Sequence, residues 1–104
     1  MYEYRAKLVR AVDGDTIDCE VDLGFTVFIK ARFRLAGIDT PERGHDGFHE
    51  ATAELVGLLG DVADDDGWFV VRSTKTGKFG RWLAEIDGVT DVMAVKYPYP
   101  RRTP

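Results

Sequence analysis

A strand that ends at a proline turn constrains the fold of this chain more than any other feature. In the segment FRLAGIDTPER, Phe33 and Leu35 alternate with Arg34, so one face can enter a core while the arginine points away from it. Pro41 then removes a backbone donor and favours an extended conformation at the residue before it. The polar residues at this break are Asp39, Thr40 and Glu42. A strand end of this composition is suited to binding a hard metal ion and a phosphate.

Length and composition indicate one globular domain. The chain has 104 residues, of which 44% are hydrophobic and 31% charged, values typical of a folded protein. No apolar run approaches the roughly 20 residues of a membrane span, so we expect no membrane association. The start, MYEYRAKLVR, lacks the apolar stretch of a secretory signal, which predicts a cytoplasmic or otherwise intracellular protein. A mature secreted chain whose signal has been removed is also compatible with this start.

The single cysteine excludes an intramolecular disulfide. Cys19 alternates with Ile17 and Val21, which predicts a small buried strand residue and not a reactive thiol. With so few cysteines and histidines, we expect no structural zinc site.

The charge of the chain is unevenly distributed. A formal net charge of −4 argues against indiscriminate binding to nucleic acid. Four of the acidic residues, however, fall in one short stretch: Asp61, Asp64, Asp65 and Asp66. Basic residues are concentrated in the C-terminal third, at Lys75, Lys78, Arg81, Lys96, Arg101 and Arg102. A local basic surface is therefore compatible with the acidic total.

Hydrophobic periodicity predicts three strands in the first third of the chain. Residues 4–12 and 16–21 form a hairpin about the turn Asp13-Gly14-Asp15, and residues 25–35 form a long third strand. We expect a bulge near Ala31. The inward residues of the third strand are predicted to be Phe25, Val27, Ile29, Phe33 and Leu35.

A helix and two further strands follow. A helical stripe comprises Ala51, Leu55, Leu58, Leu59 and Val62, and Gly60 interrupts it near its end. Strands are predicted at residues 68–72 and 81–86, and a short helix at 90–96 is ended by Pro98. This order predicts a mainly β (α+β) fold. We expect a five-stranded Greek-key OB-fold barrel over residues 1–104, with the main helix between strands 3 and 4. Residues 97–104 form either a poorly ordered tail or a substrate contact.

Three polar strings stand out, and their joint occurrence is more informative than any one. Each alone is typical of a turn: DGDT at residues 13–16, DTPE at 39–42 and KFGR at 78–81. The longer strings VDGDT, FRLAGIDTPE and KFGRWLAEI together resemble the staphylococcal-nuclease-like, or thermonuclease, family. They occur in the family's order, and the resemblance covers about residues 6 to 95.

The resemblance implies a site for one calcium ion. Asp15 and Asp39 match the family's calcium carboxylates, and Thr40 matches the residue whose backbone carbonyl also binds the ion. Two carboxylates at about 5 Å repel by about 3 kcal/mol at an effective dielectric constant of about 20, and a divalent cation relieves this. Oxygen ligands alone suit calcium or magnesium better than zinc.

The resemblance also implies catalytic and substrate-binding residues. Glu42 matches the carboxylate that activates or orients the attacking water, and Arg34 and Arg81 match the arginines that hold the scissile phosphate. Lys78 and Phe79 fall where the family has a lysine and usually a tyrosine near a terminal phosphate. Phenylalanine there keeps the ring and loses the hydroxyl. In the tail, Tyr97 and Tyr99 have the spacing of the family's nucleotide-side tyrosine pair, although they come about ten residues early.

These features predict a calcium-dependent nuclease, an enzyme that hydrolyses phosphodiester bonds of DNA, with RNA as a second candidate. The alternative is a non-catalytic OB-fold nucleic-acid-binding domain, and a weaker one reads Gly77-Lys78-Phe79-Gly80 as the clamp of a KH-type RNA binder. His45 and His49 have no counterpart in the family and are expected to be surface residues. We expect a monomer. Because the chain lacks most of the family's terminal helices, a partner subunit that fills the gap is the alternative.

Overall fold

The chain folds into a closed barrel of five strands with two helices. A computed structural model describes residues 2–74 and 82–100, with the backbone alone at Thr74. The elements in chain order are β1 Tyr2–Asp13, β2 Thr16–Asp22, β3 Phe28–Leu35, α1 Phe48–Val62, β4 Trp68–Thr74, β5 Trp82–Glu85 and α2 Thr90–Lys96. The prediction of a mainly β, five-stranded barrel is confirmed.

The barrel closes through one parallel pair. The strands are ordered β1-β2-β3-β5-β4, and β4 returns to pair with β1. All neighbours are antiparallel except β3 and β5, which pair in parallel over Phe33–Leu35 and Trp82–Ala84. Two register shifts in β1, between Leu8 and Arg10 and between Ala11 and Asp13, bend this long strand around the barrel. The predicted bulge near Ala31 is wrong, because β2 and β3 pair without a shift from Thr16↔Arg34 to Asp22↔Phe28.

The core lies inside the barrel and beneath α1. In β2 the predicted alternation is observed: Ile17, Cys19 and Val21 are buried, which confirms that the cysteine is a small buried strand residue. In α1, Ala51, Leu55 and Leu59 are buried, whereas Val62 at the end of the predicted stripe is exposed. Gly60 does not interrupt this helix.

The prediction for the start of the third strand is wrong. β3 begins at Phe28, and the three residues predicted to point inward before Phe33 are exposed, with Phe25 97%, Val27 49% and Ile29 45% accessible. Residues 24–27 form a tight turn, closed by a 2.9 Å hydrogen bond from the Val27 amide to the Gly24 carbonyl. Phe25 and Thr26 at its centre have φ of 54° and 59°. The alternation of apolar residues therefore continues into a hairpin end that no core layer covers.

The short second helix spans the predicted residues. The hydroxyl of Thr90 donates to the Ile86 carbonyl and accepts from the Ile86 amide, which fixes the start of α2. Met93 of this helix is buried in the common core. Neither α1 nor α2, the helices of the described chain, is long and apolar enough to cross a membrane.

Candidate functional site where β2 begins and β3 ends

Pairing of β2 with β3 brings two of the polar strings together. Thr16 faces Arg34 in the ladder, and the Leu35 amide donates to the Asp15 carbonyl at 2.8 Å. The chain then leaves β3 and turns back, so that Thr40 reaches Asp15 from the other side. Residues 25 positions apart in sequence thus meet at one end of the barrel.

The Asp15 carboxylate is the centre of this group. Its side chain is buried, with one oxygen accepting from the Thr40 amide at 3.0 Å and the other from the Thr16 hydroxyl at 3.0 Å. The guanidinium of Arg34 lies 3.6 Å from the first of these oxygens. A buried carboxylate requires such partners, because an isolated buried charge is strongly unfavourable.

Arg34 is held by several groups at once. It donates to the Leu35 carbonyl at 3.0 Å and to the Asp15 carbonyl at 3.4 Å, and only 17% of its side chain is exposed. The ring of Tyr99 lies 5.9 Å from its guanidinium carbon. The guanidinium is therefore fixed in place before any ligand arrives.

Asp13 belongs to this group, and sequence reasoning did not include it among the site residues. Its carboxylate accepts from the Asp15 amide at 3.0 Å. Burial, together with the neighbouring Asp15 carboxylate, raises the pKa of the Asp13 carboxyl to about 6. The available signal is the pair of acids that flank Gly14, a pattern that by itself predicts a turn.

Thr40 and Gly14 are in close contact at the same place. A Cβ atom at Gly14 would lie 2.8 Å from the Thr40 side chain. Gly14 is not among the described glycines with positive φ, so it is required for space and not for the turn conformation that Asp-Gly suggested. The Thr40 hydroxyl is buried and has no hydrogen-bond partner within the described residues. A buried polar atom without a partner is uncommon and marks this position as one suited to a ligand or water.

Asp39 and Glu42 are more exposed than Asp15 and Thr40. The Asp39 amide donates to the Tyr97 carbonyl at 2.9 Å, and its side chain is partly exposed. Glu42 is exposed in the loop before α1, where its carbonyl accepts from the His45 amide. His45 and His49 are also exposed, as predicted.

Three predicted site residues, Lys78, Phe79 and Arg81, lie outside the described residues. The next residue along the chain, Trp82, pairs with Phe33, and Leu83 pairs with Arg34. β5 is thus the strand beside Arg34.

The two tyrosines of the tail have different surroundings. Tyr97 packs on the core, and its hydroxyl donates to Glu54 in α1 at 3.2 Å. Tyr99 is 64% exposed and faces Arg34. Of the predicted pair, Tyr99 is the one with a ring open to solvent beside the candidate site.

The groups at this end of the barrel that could hold a metal ion are oxygen atoms, the donors that a hard cation prefers. Asp15, Asp39 and the Thr40 backbone carbonyl offer only oxygen, and crowding of Asp13 and Asp15 is relieved by positive charge. Across residues 2–74 and 82–100, no three acidic, histidine or cysteine side chains are close enough to hold a metal ion by themselves. Calcium commonly completes such a set with carbonyls and water.

Comparison with known proteins adds no assignment: no family model and no curated protein matches this chain.

Proposed function

We propose that this protein is a calcium-dependent nuclease of the thermonuclease type, which hydrolyses phosphodiester bonds of DNA, with RNA as a second candidate substrate. The observation that carries the proposal is the meeting of Asp15, Arg34 and Thr40 within hydrogen-bonding and ion-pairing distance. A role in turn formation alone does not require a buried carboxylate and a largely buried arginine at the same strand ends. The strand order β1-β2-β3-β5-β4, with α1 before β4, supports a Greek-key OB-fold.

In this proposal Asp15, Asp39 and the Thr40 carbonyl hold one calcium ion. When bound, calcium supplies positive charge that neutralises the carboxylates and attracts the phosphate. Because Arg34 is already fixed by carbonyl oxygens, its remaining donors are available to phosphate oxygens without reorganisation. Arg81 is proposed as the second phosphate ligand, and Lys78 and Phe79 as contacts to a neighbouring phosphate.

Glu42 is proposed to orient the attacking water. Its exposed carboxylate accepts a hydrogen bond from water and takes up the proton as the new phosphorus–oxygen bond forms. The ester oxygen then leaves with the electron pair of the broken bond and takes a proton from solvent. An intracellular location and a monomeric state remain predictions.

The test is cleavage of single- and double-stranded DNA and RNA with calcium or with a chelator. Glu42→Gln and Arg81→Ala are the informative variants. Arg34→Ala is a poor choice, because it would leave the buried Asp15 charge without its ion pair. We expect calcium-dependent cleavage by the wild type and a loss of at least about a hundredfold in each variant. Absence of calcium-dependent cleavage above the variants' background would refute the proposed nuclease activity. Retained binding of DNA in that case would favour the non-catalytic OB-fold domain.

A further inference from the structure

We infer that residues 97–99, here called the C-terminal strap, are a positioning element that holds the loop of residues 37–40 and the Arg34 guanidinium in their working arrangement. The expected effect on calcium binding and cleavage rests on the proposed function. The hold on the loop rests on backbone contacts alone. None of the three strap residues is given a catalytic role. Tyr97 and Tyr99 act through Asp39 and Arg34.

The strap pairs with the loop through its backbone. The Asp39 amide donates to the Tyr97 carbonyl at 2.9 Å, and the Tyr99 amide donates to the Gly37 carbonyl at 3.1 Å. Between these bonds, Ile38 and Pro98 face each other in an antiparallel bridge. Two hydrogen bonds that flank one residue fix its backbone as in a short sheet. The residue after this ladder, Thr40, donates to Asp15, so the ladder leads directly to the centre of the site.

The strap is itself anchored to both helices. The Tyr97 amide donates to the Met93 carbonyl at the end of α2, at 2.8 Å. Glu54 of α1 accepts from the Tyr97 hydroxyl at 3.2 Å and from the Lys96 ammonium group at 2.6 Å. Burial and the nearby Glu54 carboxylate raise the pKa of Tyr97, so its hydroxyl remains a donor at neutral pH. Glu54 thereby joins α1, through Tyr97, to the loop that carries Asp39.

The strap reaches the phosphate side of the site through Tyr99. Its ring faces the Arg34 guanidinium at 5.9 Å, and among the described residues the other partners of this arginine are the Leu35 carbonyl and Asp15. An aromatic ring at this distance attracts a cation and limits its movement. The two tyrosines therefore separate in role: Tyr97 positions Asp39, and Tyr99 positions Arg34.

The experiment measures three quantities in each variant: hydrogen exchange of the Asp39 amide, calcium affinity by titration calorimetry, and KM and kcat for DNA cleavage. Glu54→Ala removes the anchor of Tyr97, and Glu50→Ala is its control, an exposed acid one turn earlier on α1. We expect Glu54→Ala to speed exchange at Asp39 and to weaken calcium binding by roughly five- to tenfold. Glu54→Gln keeps an acceptor oxygen and should restore most of both.

Two further variants keep the inference testable if Glu54→Ala folds poorly. Tyr97→Phe removes one hydroxyl and should change exchange and calcium affinity in the same direction as Glu54→Ala, to a smaller extent. Tyr99→Leu should raise KM several-fold with calcium affinity unchanged. Tyr2 is a similarly exposed tyrosine on β1, and Tyr2→Leu should change neither quantity.

Failure of the strap and failure of the proposed function give different results. If the wild type binds calcium and cleaves DNA, but Glu54→Ala and Tyr97→Phe match Glu50→Ala in exchange and affinity, the strap inference is wrong and the nuclease stands. If the wild type neither binds calcium nor cleaves, the proposed function is wrong, and exchange at Asp39 decides the strap. Faster exchange in Glu54→Ala and Tyr97→Phe supports its hold on the loop, and unchanged exchange overturns it.

Discussion

The two ends of the β2–β3 hairpin are made of the same strands but have opposite surroundings. The end away from the turn, where Thr16 faces Arg34, is covered by other elements and is here called the closed end. Asp15 and Thr16 at this end are polar and yet buried. At the tip, where Asp22 faces Phe28, apolar residues are exposed, and Phe25 is 97% accessible. Burial along this hairpin is thus decided by which elements lie over it and not by the polarity of its residues.

The closed end is covered from three directions. β5 pairs with the last residues of β3, the loop of residues 37–40 reaches Asp15, and the C-terminal strap pairs with that loop. Each contact leaves less water around Asp15 and Arg34, so each strengthens their interaction. The tip has the ring contact between Phe28 and Trp68, at 6.0 Å between ring centres, but its turn residues project beyond the barrel.

The tip also carries backbone strain. Phe25 and Thr26 both occupy the left-handed region, which costs about 1–2 kcal/mol per residue outside glycine, asparagine and aspartate. Nothing in the described structure explains the choice of phenylalanine at the first of these positions.

The largest expected difference between the two ends is in core truncation. Ile17, fully buried near the closed end, and Ile29, 45% exposed near the tip, are the same residue type on paired strands. Ile17→Ala should lower the free energy of unfolding by about 2–5 kcal/mol, and Ile29→Ala by less than about 1 kcal/mol. Urea denaturation of both variants measures this, and equal losses would show that the tip is packed as well as the closed end.

The second prediction concerns the close approach of Gly14 and Thr40. Gly14→Ala should destabilise the protein by about 1–3 kcal/mol, because the new methyl group overlaps the Thr40 side chain. Gly57→Ala is the matched control. It lies in α1 with open space around it, and alanine should stabilise the helix there by up to about 1 kcal/mol. The temperature of thermal unfolding should therefore fall for Gly14→Ala and rise for Gly57→Ala. A shift of the same sign in both variants would contradict the crowding at Thr40.

The third prediction concerns the strained turn. Replacing Phe25 by Asn and Thr26 by Gly should raise the free energy of unfolding by about 1–2 kcal/mol, because both residues tolerate positive φ. Thr26→Ala is the control, since alanine cannot relieve the strain and should leave stability nearly unchanged. A double variant no more stable than this control would mean that the turn stores no strain.

The smallest effect is on reactivity and not on stability. Burial raises the pKa of the Cys19 thiol to about 12, so at pH 8 only roughly one molecule in ten thousand carries a thiolate there. We expect a disulfide reagent to label native protein very slowly and urea-unfolded protein at once. Rapid labelling of the native protein would mean that β2 opens frequently.

Sequence patterns predicted the barrel because the strands alternate. Two of the three polar strings, which carry Asp15, Arg34 and Thr40, meet at one end of it. The start of β3 was missed because Phe25, Val27 and Ile29 continue the alternation that Phe33 and Leu35 use for the core. The strap was missed for a different reason. Its bonds to residues 37–39 use backbone groups, which leave no trace in residue type.

The most direct test of the functional account compares the two hairpin ends in one assay. The initial rate of single-stranded DNA cleavage is measured in calcium for the wild type, for Asp39→Asn at the closed end and for Phe25→Asn at the tip. The account predicts calcium-dependent cleavage at equal rates by the wild type and Phe25→Asn, and a loss of at least about a hundredfold in Asp39→Asn. Equal rates for Asp39→Asn and the wild type, or no cleavage that depends on calcium, would contradict it.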